Sequence, residues 1–185
     1  MGQSSLSLLA GWVNFYVIVG SSAGALTGLQ FVVMTLISES QATGSMREIR
    51  AFGTPTVVHF CAALLISAIM SAPWPALSNI SLCLAVCGGA GVAYSLTTIW
   101  HAWKAAYTPD AEDWIWYAAF PLTAYAALVA AAIMFGQSPS LSLFVTGATT
   151  LLFLFIGIHN AWDTVTYVAL QRWQRSEASK HKEQS

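Results

Sequence analysis

The chain has 185 residues, of which 56% are hydrophobic and 8% charged, with a mean hydropathy of +0.62 and a net charge of −1. Soluble domains carry about 25% charged residues, so this chain cannot cover a globular surface with solvated groups. A water-soluble domain is excluded, and seven Lys and Arg residues without a basic stripe argue against a nucleic-acid surface. The apolar runs are continuous, whereas the strands of a membrane β-barrel alternate in polarity.

A helix needs about 20 apolar residues to cross about 30 Å of hydrocarbon. Five segments meet that length, at residues 12–37, 54–72, 77–100, 114–135 and 140–170. The sequence therefore predicts an all-α, polytopic integral membrane protein, a single bundle of five transmembrane helices over residues 1–174. A polar tail, 175–185, is expected to be disordered because it lacks apolar periodicity. The opening MGQSSLSLLAGW has no basic stretch before its apolar run, so the first helix is expected to stay in the mature chain.

The first helix carries Gly20, Gly24 and Gly28, a ridge of small residues at four-residue spacing. Such ridges let helix backbones approach closely in lipid, where no hydrophobic force drives association. Two partners fit the ridge. One is the smooth patch Gly88, Gly89 and Gly91 on the third helix. The other is a second copy or a larger membrane complex.

The connections are short and polar. Residues 38–53 hold Glu39, Arg47, Glu48 and Arg50. In residues 71–78 two prolines flank Trp74, which predicts a tight break. Residues 104–113 contain Pro109 and three acids, and residues 136–139 make a hairpin. Pro121, inside the fourth segment, is expected to kink it because it removes a backbone hydrogen bond. Cys61, Cys83 and Cys87 all lie in apolar segments without CxxC spacing and read as buried apolar thiols.

With five spans, Arg47, Arg50, Lys104, Arg172, Arg175, Lys180 and Lys182 all fall on one side. The positive-inside rule makes that side cytoplasmic, so the N-terminus is expected outside and the C-terminus inside a cell membrane, the bacterial inner membrane being the expected setting. Aromatic residues collect near helix ends, as amphipathic rings favour the interface. Trp12, Phe15, Tyr16 and Trp74 are expected at the outer interface. Trp100, Trp103, Tyr107, Trp114, Trp116, Tyr117 and Trp173 are expected at the inner one.

The ionisable residues carry the functional question. Asp163 is the one acid within a long apolar segment, where a charged group costs roughly 2.5–3.5 kcal/mol on insertion scales unless paired. His159 precedes it by four residues and shares its helix face, with Asn160 and Thr164 flanking. His59 and His101 fall in the same half of the predicted bundle, as do Glu112 and Asp113.

Three readings stay open. His59, His101, His159 and Asp163 could form a metal site, or His59 and His159 could ligate a b-type haem. The cluster could instead only lock helices together, as polar groups do in bilayers, in a structural or accessory subunit. Or it could form a proton or substrate path in a small proton-coupled transporter or channel.

Overall fold

The computed structural model describes residues 8–40, 46–104 and 111–183, with the side chains of 36–53, 168, 171–172 and 175–183 outside the description. The chain forms five long helices and, among the described residues, no strand. They are α1 (Val13–Ser40), α2 (Met46–Ser71), α3 (Leu77–Lys104), α4 (Ala111–Met134) and α5 (Pro139–Glu183). Each contains a stretch long and apolar enough to cross a membrane.

The helices overrun the expected limits because hydropathy marks only the part that crosses hydrocarbon. α2 begins at Met46, ahead of its apolar stretch Thr54–Ser71. α5 spans 45 residues, so the tail expected to be disordered from 175 is helical to Glu183. Tyr107 lies outside the described residues.

In space the helices follow the order α1, α2, α5, α4, α3, with α5 packed between α2 and α4. The sequence of α5 explains its central place. Its inner face is small and polar, with Ser142, Thr146, Gly147, Thr150 and Gly157 all buried. A Cβ at Gly157 would meet the Phe60 ring at 2.5 Å, and one at Gly147 would meet Trp12 at 2.7 Å. The missing side chains thus admit aromatic rings from α2 and from the start of α1. Thr146 and Thr150 return their hydroxyls to the carbonyls of Ser142 and Thr146, each at 2.7 Å, so they satisfy themselves within the helix. Large apolar side chains such as Ile18, Phe31, Leu82 and Phe155 face outward, the inversion expected of a surface solvated by lipid.

The glycine ridge has a different partner from the one expected on α3. A Cβ at Gly20 would lie 2.8 Å from the Cβ of Ser67, and Gly24 faces Leu64 at 3.9 Å, so both pack on α2. Gly28 has nothing within 4 Å. On α3, Gly91 lies under the Tyr125 ring, and a Cβ at Gly88 would meet Val129 Cγ2 at 2.7 Å and the Tyr125 carbonyl oxygen at 3.2 Å. The glycines thus pair α1 with α2 and α3 with α4, while α2 and α3, joined by the short turn at residues 72–76, barely touch. The α2–α3 turn is fixed by Trp74, whose Nε1–H donates to the Ile69 carbonyl at 2.6 Å. Ser81 donates to the Ala132 carbonyl at 2.5 Å and ties α3 to α4. Tyr16, expected at the interface, is 1% exposed and belongs to the core.

Candidate functional site

Pro121 produces a local change of helix type. Residues Ile115–Ala119 form a π-helical turn, in which the Phe120 N–H donates to the Ile115 carbonyl, five residues back. Proline has no N–H and its ring obstructs the carbonyl four residues earlier, so the turn before it widens. One widened turn absorbs one residue, which is about 100° of rotation. Glu112 and Trp116 precede Ala124 and Leu128 by twelve residues, a separation that leaves them about 120° apart in a regular helix. With the extra residue absorbed the offset falls to about 20°. Both thus share the inner face of α4 with buried Ala124 and Leu128.

That face meets His159 on α5. The Trp116 and His159 rings are stacked, with centroids 3.8 Å apart and planes 7° from parallel. Glu112 Oε1 lies 3.5 Å from His159 Nε2, and Asp163 Oδ2 lies 3.3 Å from Nδ1. A carboxylate therefore faces each ring nitrogen. The group is graded in exposure, from 22% for His159 through 44% for Asp163 to 75% for Glu112. It sits at the end of the bundle where α3 finishes and α4 begins. Trp103 and Trp114 meet edge to face there at 6.3 Å, and the Lys104 Nζ stands 3.5 Å over the Trp100 ring.

The histidine's donor count sets its chemistry. A neutral imidazole has one N–H and one lone pair, whereas the imidazolium has two N–H groups. The two carboxylates lie within ion-pair distance of the ring nitrogens, and Nδ1 makes no well-formed hydrogen bond to Asp163.

The other expected site residues lie elsewhere. His59 is 1% exposed inside the bundle, between Phe153 at 6.1 Å and Tyr125 at 6.3 Å between ring centroids. The Pro55 carbonyl one turn earlier is in range of the ring, but neither ring nitrogen makes a well-formed hydrogen bond with the protein. His101 is exposed, with Nδ1 2.6 Å from the Thr97 carbonyl and its ring edge-on to Trp100. Among the described residues no three His, Cys, Asp or Glu side chains are grouped so as to hold a metal ion. The grouping of His59, His101, His159 and Asp163 as one metal site is not shown among the described residues. His101 turns back onto its own helix, and His59 and His159 stack on different aromatic partners.

Sequence reasoning missed two features. Trp116 was assigned to the lipid interface, and only the π turn brings it onto His159. An aromatic run ending in FP was the available signal. Asn160 was noted as a flank of Asp163, but it is fully buried and neither its Oδ1 nor its Nδ2 meets a protein partner. An unmet buried polar group costs about 1–3 kcal/mol.

No protein-family model matches the chain, and neither the curated proteins nor the solved structures yield a match to it.

Proposed function

We propose that this membrane bundle is a small proton-coupled transporter or channel, and that His159, flanked by Glu112 and Asp163, is the group that exchanges the proton. One observation carries the reading: each ring nitrogen of His159 faces a carboxylate, at 3.5 Å and 3.3 Å. Ionisable side chains within a membrane bundle mark ion and proton routes more often than packing alone explains. The exposure gradient from Glu112 to His159 gives the route an entrance, and the stacked Trp116 shields the ring from lipid. The grouping of the chain's positive residues supports a cytoplasmic position for this end and for the C-terminus.

Vesicles enclosing a pH-sensitive dye, with the potential clamped, test the proposal. The purified protein is expected to pass protons well above the rate of protein-free vesicles after a pH step. Asp163→Asn is expected to slow that flux at least tenfold without unfolding the bundle. Flux equal to that of empty vesicles overturns the reading in favour of a packing role. A Soret band or stoichiometric metal in the purified protein overturns it in favour of a cofactor site.

A further inference from the structure

Beyond His159 lies a second polar locus that the proposed site does not use. Phe60 of α2 stands level with Gly157 of α5, and His59 is stacked with Phe153. Trp12, at the start of α1, packs on Gly147 near the start of α5, so α1 and α5 begin at the same end and α2 begins at the other. α2 and α5 are therefore antiparallel, and moving from Phe60 towards the start of α2 means moving from Gly157 towards the end of α5. Asn160 lies three residues beyond Gly157 in that direction. At about 1.5 Å per residue it sits within about one helical turn of His59 along the bundle axis. Both side chains are at least 99% buried. Neither amide heteroatom of Asn160 meets a protein partner, and beyond the Pro55 carbonyl one turn earlier the His59 ring nitrogens make no well-formed hydrogen bond. Asn160 also directly follows His159, so it stands at the inner edge of the site at the bundle end.

We infer that His59 and Asn160 form an enclosed hydrogen-bonding site between α2 and α5 that holds water and continues the route from His159 into the bundle. The donor inventory matches that occupant. Asn160 offers two N–H donors and an acceptor, and neutral His59 offers one donor and one acceptor; with the His59 N–H turned to the Pro55 carbonyl, two donors and two acceptors remain for water to meet. Buried waters occupy such polar gaps and make about three hydrogen bonds each. Around His59 the apolar wall is Phe153 from α5, and the titratable ring facing it is Tyr125 from α4. Neutral His59 holds this water by hydrogen bonding and keeps its own proton, so any proton passes along the water and not through the ring. The functional part of this inference rests on the proton-coupled reading above; the water site does not.

Two measurements on the full chain in bilayers test it. Magic-angle-spinning NMR with ring-15N histidine, using His59→Gln to assign the signal, reads transfer from water protons to the His59 ring. Transfer as strong as that to exposed His101 supports the site, and a His59 signal isolated from water overturns it. In the vesicle assay, His59→Phe and Asn160→Leu are each expected to slow proton flux at least tenfold, with His59→Gln retaining the fold as judged by elution and melting. Wild-type flux that both variants leave unchanged overturns the inner route while the role of His159 survives. Absence of wild-type flux together with a hydrated His59 refutes the proton-coupled reading and leaves the water site standing.

Discussion

Adjacent glycines on α3 provide a strict test of the packing. Gly88 and Gly89 share one helix and one sequence context, but they point about 100° apart around the helix axis. A Cβ at Gly88 would meet Val129 Cγ2 at 2.7 Å, the Val129 nitrogen at 3.1 Å and the Tyr125 carbonyl oxygen at 3.2 Å, whereas one at Gly89 would meet nothing within 4 Å. Two of the three atoms opposing Gly88 belong to the α4 backbone, which cannot rotate aside as a side-chain tip can. Replacing glycine by alanine gains roughly 0.8–1.0 kcal/mol of helix propensity at either position, and that gain cancels in the comparison. What remains is the overpacking at Gly88, about 1–3 kcal/mol. A chain of this size loses about 2–4 °C of melting temperature per kcal/mol. Gly88→Ala is therefore expected to melt about 4–8 °C below Gly89→Ala for a central penalty of about 2 kcal/mol. Melting in one detergent, followed by loss of the monodisperse elution peak, measures the difference. Equal melting temperatures for the two variants would refute the α3–α4 seam as described.

Other outcomes follow from single contacts. Trp116→Leu removes the ring stacked on His159, an interaction of about 0.5–1.5 kcal/mol, and is expected to lower the melting temperature by roughly 1–6 °C; Trp162→Leu, at a site 71% exposed, is expected to leave it unchanged. Ser81→Ala deletes one interhelical hydrogen bond, worth about 0.6 kcal/mol on average within membranes, so a drop of roughly 1–2 °C is expected. A green fluorescent protein fused after the last residue is expected to fluoresce in a bacterial host, as a cytoplasmic C-terminus requires; activity of a periplasmic phosphatase fused there would reverse the orientation and leave the fold intact.

The spans were legible because hydrocarbon imposes one requirement, a long apolar helix, and composition answers it directly. The start of α3 coincides with the expected residue 77, since the prolines around Trp74 break the chain there whatever the packing. The pairing of helices was not legible. Gly20 and Gly88 look alike in sequence, and a small residue specifies close approach without naming the neighbour. The site was half legible. His159 and Asp163 share a face by spacing alone, and their partnership follows from it. The contribution of α4 depended on one residue of helical phase, which the π turn before Pro121 supplies. Histidines that shared a leaflet on paper went to different neighbours because depth along the membrane normal says nothing about direction around a helix.

Proton flux into dye-loaded vesicles, compared among wild type, His159→Gln and Asp163→Asn at equal protein density, tests the central claim most directly. The account predicts rapid acidification by wild type and at least tenfold slower acidification by both variants. Equal rates in all three preparations would contradict it.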